Sequence, residues 1–117
     1  MKILIVDDSA SFRTLLRQVL AGVTAEVDEC ASGEEALAAY AQGRPDIVLM
    51  DLRMEGMDGL SATRSILSQD RDARVFMLTS YDDEALRSAA HAAGACGYAL
   101  KDDLQSLTQL LRPLAAR

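Results

Sequence analysis

Four short apolar runs, each followed by residues with reactive side chains, constrain the fold of this chain most strongly. The runs and the residues that follow them are 3–6 before Asp7 and Asp8, 47–50 before Asp51, 75–78 before Thr79, and 97–100 before Lys101. Continuous apolar runs are typical of parallel strands that are buried on both faces. The carboxyl ends of such strands meet at one edge of the sheet, where ligands bind. The sequence therefore predicts that three carboxylates, a hydroxyl and an ammonium group converge on one crevice.

Helical patterns alternate with these strands along the whole chain. Helices are predicted near residues 9–21, 32–42, 58–68, 80–94 and from 103 onward, and a shorter, more polar strand over 25–31. We expect Pro113 to kink the last helix or to end it early. Right-handed crossovers leave few topologies for this pattern. We predict an α/β fold with a five-stranded parallel sheet in the order 2-1-3-4-5, doubly wound by five helices.

Length, charge and hydropathy narrow the class of protein. The 117 residues fit a single domain over 1–117, and the net charge of −6 argues against direct binding of nucleic acid. No apolar stretch is long enough to cross a bilayer and no signal peptide precedes the first strand, so a cytoplasmic location without membrane contact is expected.

The two cysteines, Cys30 and Cys96, fall in the second and fifth predicted strands. These strands form opposite edges of the predicted sheet, about 19 Å apart. A disulfide needs Cα atoms within about 7 Å. We therefore predict that the cysteines do not pair and are small buried side chains.

The residues at the strand ends suit phosphoryl chemistry with a divalent cation. Adjacent carboxylates at Asp7 and Asp8 repel each other unless a cation joins them, and Mg²⁺ prefers such oxygen ligands. Asp51 is a candidate nucleophile, because carboxylates can form aspartyl phosphates. Thr79 and Lys101 offer a hydroxyl and a cation to phosphoryl oxygens. Each residue alone also fits a plain turn, cap or surface role, and the prediction depends on their combination.

Four segments, VDDSASFR, LMDLRMEGMDGLSAT, LTSYDD and GACGYALKDD, extend this pattern over essentially the whole chain. They resemble the response-regulator receiver domains of bacterial two-component systems, a CheY-like superfamily, and among them the receivers of the NarL/LuxR-type subfamily. The resemblance implies that Asp51 is the phosphoacceptor. It implies a Mg²⁺ site formed by Asp7, Asp8, Asp51 and the backbone carbonyl of Arg53.

The same resemblance assigns roles to the surrounding side chains. It implies that Thr79 and Tyr98 form the switch and that Lys101 pairs with the phosphoryl group. Arg53 and Tyr81 would line the rim of the site and tune the lifetime of the acyl phosphate. Two residues depart from the family pattern, since Glu55 and Asp102 stand where the family usually has proline.

The function implied by the resemblance is phosphoryl transfer from a histidine kinase or phosphotransfer protein. Phosphorylation would then alter the surface of the fourth helix, fifth strand and fifth helix, which is also a possible homodimer interface. The output would be transcription, through a DNA-binding domain outside this chain; a stand-alone receiver or adaptor is the alternative. Such a domain is no enzyme beyond its own phosphoryl transfer and dephosphorylation.

Three other classes are weighed against this interpretation. An aspartate-dependent phosphatase of the haloacid dehalogenase type starts with a DxD motif, whereas this chain has adjacent aspartates, and usually carries a cap domain. A flavin-binding protein with the same sheet needs a hydroxyl- and glycine-rich phosphate loop after strand one, and no such loop follows strand one in this sequence. A receiver that acts as an interaction module without phosphorylation remains open as the third class.

Overall fold

Strands and helices alternate strictly along the chain in a computed structural model that describes residues 1–24 and 26–115. The strands are β1 (Lys2–Val6), β2 (Glu26–Cys30), β3 (Ile47–Asp51), β4 (Val75–Thr79) and β5 (Gly97–Leu100). The helices are α1 (Ala10–Leu20), α2 (Gly33–Gly43), α3 (Gly59–Gln69), α4 (Glu84–Ala92) and α5 (Leu104–Ala115). Ala25, the first residue of the predicted second strand, lies outside the described residues.

All five strands are parallel and lie in the order β2-β1-β3-β4-β5, which confirms the predicted topology. In the register of the central strands, Val6 lies beside Met50, and Asp51 lies beside Leu78. The chain therefore leaves β1, β3 and β4 at the same edge of the sheet. Asp7, Asp51 and Thr79 are brought to that edge by this register.

The sheet is covered on both faces, as its apolar strands require. One face packs against α2, α3 and α4 through Ala36, Ala62, Ile66 and Ala90. The other face packs against α1 and α5 through Leu16, Leu20, Leu107 and Leu111. Every residue of β3 and β4 is buried, whereas β2 is partly exposed at the edge of the sheet.

Side-chain caps start the helices where the sequence predicts them. The hydroxyl of Ser9 accepts a hydrogen bond from the backbone N–H of Phe12, and Asp58 caps α3 through the N–H of Ser61. Ser32 caps α2 by accepting from the N–H of Glu35, whose carboxylate in turn accepts from the N–H of Ala31. These caps satisfy backbone donors that have no partner within the helix. They also fix where the chain turns back after each strand.

Two sequence-based expectations are wrong in part. Helix α5 continues past Pro113 to Ala115, so of the two effects expected of this proline the early end is wrong, and the kink stays a prediction. A proline ring holds φ near the helical value, and the lost hydrogen bond would have used the carbonyl of Gln109, an exposed residue. Both cysteines are unpaired as predicted, but neither is fully buried: Cys30 in the edge strand β2 is half-buried, and Cys96, which precedes β5, is exposed. None of the helices in residues 1–24 and 26–115 is long and apolar enough to cross a membrane.

Candidate metal and phosphoryl site

Three carboxylates meet at the carboxyl edge of the sheet. Asp7 and Asp51 are buried, with relative exposures of 2% and 6%, while Asp8 is exposed. One oxygen from each of the three lies within 4.8 Å of the others. Asp7 and Asp8 follow β1 directly, and Asp51 is the last residue of the neighbouring strand β3. The cluster therefore results from strand order and register.

Lys101 is the cation that contacts the two buried carboxylates. Its Nζ donates a hydrogen bond to Oδ2 of Asp7 at 2.7 Å and lies 3.3 Å from Oδ1 of Asp51. The same Nζ lies 4.4 Å from the centre of the Phe12 ring, a cation–π distance. The other oxygen of Asp7 accepts from the N–H of Ser9 at 2.9 Å. Asp7 is thus held at both oxygens.

The electrostatic balance of the site disfavours a charged Asp51. Burial, and then the charge of Asp7, raise the pKa of Asp51 to about 6, although Lys101 pulls the pKa of this group in the opposite direction. The site therefore holds more negative charge than its one contacting lysine offsets. Oxygen ligands with excess negative charge are the donor set that Mg²⁺ takes in proteins. The residues present fit such an ion.

The loop after Asp51 is tied down at several points. The N–H of Met57 donates to Oε1 of Glu34 at 3.0 Å, and the N–H of Gly59 donates to the carbonyl of Leu52 at 2.9 Å. Gly56 has a φ of 76°, a conformation that favours glycine. These contacts hold the loop that carries Arg53, although Glu55 stands where proline would otherwise stiffen it.

Gly59 is a component of the site that sequence reasoning missed. A Cβ added to this residue would lie 2.1 Å from the backbone oxygen of Asp51 and 3.0 Å from Cα of Leu52. No side chain fits in that space without moving the backbone of the phosphoacceptor candidate. A glycine in the first turn of a helix, directly after the capping Asp58, is the signal that could have indicated a close approach.

The hydroxyl and aromatic candidates lie at the adjoining strand ends. Thr79 is buried at the end of β4, and its hydroxyl accepts from the N–H of Tyr81 at 3.3 Å. Its carbonyl accepts from the backbone N–H of Lys101 at 2.8 Å, which joins the ends of β4 and β5. Tyr98 is half-buried and donates from its hydroxyl to the carbonyl of Tyr81 at 2.6 Å. Thr79 and Tyr98 are therefore both hydrogen-bonded to the backbone of Tyr81.

The family model of the response regulator receiver domain matches residues 3–112. The chain belongs to this family. The receiver is 40% identical over 100 residues to the chemotaxis protein CheY of Halobacterium salinarum, covering 86% of this chain and 83% of that protein. It is 34% identical to the response regulator GacA of Pseudomonas aeruginosa, covering 98% of this chain but 55% of GacA. The receiver thus spans about half the length of GacA and of several other curated relatives.

Solved structures agree with the fold of the receiver. A two-component response regulator of the LuxR family from Aurantimonas superposes with a TM-score of 0.91 at 36% identity, covering 98% of this chain and 84% of that one. A CheX–CheY–BeF3–Mg²⁺ complex from Borrelia burgdorferi contains a chain that superposes with a TM-score of 0.84 at 30% identity. That match covers 94% of the receiver and 88% of the Borrelia chain.

Two arginine side chains of the receiver lie against tyrosine rings, and one of these pairs is Arg53 with Tyr81, the predicted rim residues. The guanidinium of Arg53 lies 4.7 Å from the ring centre of Tyr81, which is 50% exposed. The guanidinium of Arg87 lies 4.6 Å from the ring centre of Tyr98. Arg53 follows β3 and Tyr81 follows β4, so the two loops are in contact through this pair, and its role at the rim of the site stays a prediction.

Replacing Asp51 with asparagine is expected to stabilise the metal-free receiver at pH 7 by about 2 kcal/mol. The pKa of Asp51 is raised from 3.8 to about 6, so between those values the folded state keeps a proton that the unfolded state has lost. The stability advantage of Asp51→Asn over the native receiver should therefore grow as pH rises through this window. Denaturant unfolding in EDTA at pH 4 and pH 7 measures the difference.

The matched control is Asp72→Asn, which changes an exposed aspartate outside the acidic site. We expect it to leave the free energy of unfolding within about 0.5 kcal/mol of the native value. Equal stability of Asp51→Asn and the native receiver at pH 7 would contradict a charge-crowded site.

Proposed function

We propose that this receiver accepts a phosphoryl group on Asp51 from the phosphohistidine of a histidine kinase or a phosphotransfer protein. A carboxylate oxygen of Asp51 forms the new P–O bond while the P–N bond to the donor imidazole breaks, and the imidazole leaves with the bonding electron pair and takes up a proton. The observation that carries the proposal is the position of Asp51, buried 3.3 Å from the ammonium of Lys101 and clustered with two further carboxylates.

The proposal assigns the remaining residues of the site to separate tasks. Asp7, Asp8, Asp51 and the backbone carbonyl of Arg53 would hold Mg²⁺, which when bound offsets the charge that repels an incoming phosphoryl donor. Lys101 is within reach of the Asp51 carboxylate and would donate to oxygens of the phosphoryl group. The complex that contains the related Borrelia chain also contains Mg²⁺ and BeF3, which supports Mg²⁺ as the ion of the proposed site.

The proposed switch starts at Thr79. The phosphoryl group of the product carries roughly two negative charges where the Asp51 carboxylate carried one, and the hydroxyl of Thr79 would turn from the N–H of Tyr81 to a phosphoryl oxygen. That movement would alter the loop that Tyr98 contacts through the carbonyl of Tyr81. A change in the position of Tyr98 would then shift a two-state equilibrium of the α4–β5–α5 surface.

Features of that surface support its role as the output and possible homodimer surface. A cleft of about 140 Å³ between α4 and β5 is lined by Arg87, His91, Cys96 and Tyr98, among others. Leu110 on α5 is 47% exposed. Movement of Tyr98 would change the shape of the cleft directly.

Two outputs are supported by different relatives. Transcription through a segment outside this chain is favoured by GacA and other regulators of about twice the matched length. A stand-alone receiver is favoured by the CheY of Halobacterium salinarum, of which the match covers 83%. In either case the domain would catalyse only its own phosphorylation and dephosphorylation.

Incubation with acetyl phosphate and Mg²⁺, followed by intact-mass measurement, tests the proposed function. We expect one added phosphoryl group on the native receiver and on Asp72→Asn, and none on Asp51→Asn or in EDTA. Unchanged labelling of Asp51→Asn would overturn the assignment. Steady release of product from a phosphate monoester would instead favour a phosphatase of the dehalogenase type.

A further inference from the structure

Arg13 of α1 connects the end of β1 to strand β2. Its Nη1 donates to the backbone carbonyl oxygen of Asp7 at 2.6 Å, and its Nε donates to Oε1 of Glu29 at 2.9 Å. The other oxygen of Glu29 is bound by Nε of Arg17 at 2.5 Å, and Arg17 also donates to the carbonyl of Val27 at 2.9 Å. Two arginines one helical turn apart thus share one carboxylate, but only Arg13 contacts Asp7.

The contacts of Arg13 are well formed and partly shielded from water. The side chain of Arg13 is 17% exposed and that of Glu29 is 28% exposed, whereas Arg17 is 49% exposed. Hydrogen bonds from Arg17 and Arg13 hold the pKa of Glu29 below its usual range. Charge-assisted hydrogen bonds of this kind are shorter and stronger than neutral ones. Arg13 is therefore anchored by Glu29 while it binds the Asp7 carbonyl.

The carbonyl that Arg13 binds belongs to the peptide group between Asp7 and Asp8. Because a peptide group is planar, fixing its carbonyl oxygen also fixes the N–H and Cα of the next residue. The side chain of Asp8 is exposed, and Asp7 is held through Ser9 and Lys101 instead. The direction in which the Asp8 carboxylate leaves the backbone thus depends on this peptide plane.

We infer that Arg13 is a positioning residue for the divalent-cation site, acting by locking the Asp7–Asp8 peptide plane through its bridge to Glu29. The inference rests on the proposed function, since it takes Asp7 and Asp8 as ligands of the cation. Groups that orient the ligands of a metal typically change its affinity by about tenfold or more when removed.

Charge and positioning make opposite predictions for this arginine. Removal of a positive charge near three carboxylates strengthens the attraction for Mg²⁺ and should tighten binding if Coulomb forces alone mattered. Loss of the hydrogen bond from Arg13 would free the Asp7–Asp8 peptide plane to rotate. The Asp8 carboxylate would then adopt more orientations, which should weaken the binding of Mg²⁺. The sign of the change in affinity therefore separates the two roles.

The test is calorimetric titration of the native receiver, Arg13→Met and Arg17→Met with Mg²⁺. Both variants lose a cation and a bond to Glu29, but only Arg13→Met loses the contact with Asp7. We expect Arg13→Met to bind Mg²⁺ about tenfold more weakly, and Arg17→Met to stay within about twofold of the native receiver. Arg13→Gln, which keeps a polar group in the half-shielded position, replaces Arg13→Met if the latter fails to fold.

The titrations distinguish failure of the positioning role of Arg13 from failure of the proposed function. Native receiver that binds no Mg²⁺ would overturn both the proposed site and the role of Arg13. Native receiver that binds Mg²⁺, together with Arg13→Met that binds it equally or more tightly, would overturn the positioning role alone. A loss of affinity of the same size in Arg17→Met would also overturn it, because the effect would then come from the shared ion pair.

Discussion

Replacing Lys101 with methionine is expected to lower the free energy of unfolding of the metal-free receiver at pH 7 by about 3 kcal/mol. Lys101 contacts Asp7 at 2.7 Å and Asp51 at 3.3 Å, and both carboxylates are nearly inaccessible to water. Methionine can occupy the space of the lysine stem beside Phe12, but it leaves two buried carboxylates without their cation. Breaking a buried ion pair on one side is costly for this reason.

The loss should be smaller at pH 5. Protonation of Asp51, whose pKa is already raised to about 6, removes one of the two unpaired charges. Lys2→Met is the matched control, because its ammonium pairs with Asp28 at 3.4 Å while both side chains are substantially exposed. That variant should lose less than about 1 kcal/mol. Equal losses for the two lysines in denaturant unfolding would contradict a buried ionic network at the sheet edge.

Replacing Gly59 with alanine is expected to lower the free energy of unfolding by about 3 kcal/mol. Alanine normally stabilises a helix relative to glycine by up to about 1 kcal/mol. At this position the added Cβ would fall 2.1 Å from the backbone oxygen of Asp51, so the start of α3 or the end of β3 must move. We also expect labelling by acetyl phosphate to slow by at least about tenfold, because a small displacement of reacting groups is costly.

Gly22→Ala provides the control for the glycine substitution. Nothing lies within 4 Å of a Cβ added to Gly22, which follows α1 in open space. We expect its stability and its labelling rate to match those of the native receiver within about 0.5 kcal/mol and twofold. If Gly59→Ala is as stable as Gly22→Ala and labels at the same rate, the backbone yields easily and the close approach of α3 to Asp51 does not constrain the site.

The architecture was predictable because the strands carry their own signals. Apolar runs that end at Asp7, Asp51 and Thr79 define both the parallel sheet and the edge at which those residues meet. The carboxyl ends of parallel strands lie at one edge of a sheet. Residues far apart in the chain can therefore be predicted to be neighbours without any measured distance. The prediction therefore placed Asp7, Asp51 and Thr79 at one edge of the sheet, whereas their membership of one functional site and their roles remain proposals.

The contacts that organise the site were not predictable in the same way. The bond from Arg13 to the Asp7 carbonyl, and the ring of Phe12 beside Lys101, depend on the rotation of α1 about its axis. The close approach of Gly59 to Asp51 depends on where α3 crosses the sheet. A pattern of residue types does not specify such distances. The same limit applies to Cys96, which is exposed and lies one residue before β5.

Chemical trapping of the acyl phosphate tests the central proposal most directly. Borohydride reduces an aspartyl phosphate to homoserine, and peptide mass mapping then locates the modified residue. After treatment with acetyl phosphate and Mg²⁺, we expect homoserine at position 51, and none in samples prepared with EDTA. Homoserine at position 7 or 8, or its complete absence from a folded receiver that binds Mg²⁺, would contradict Asp51 as the phosphoacceptor.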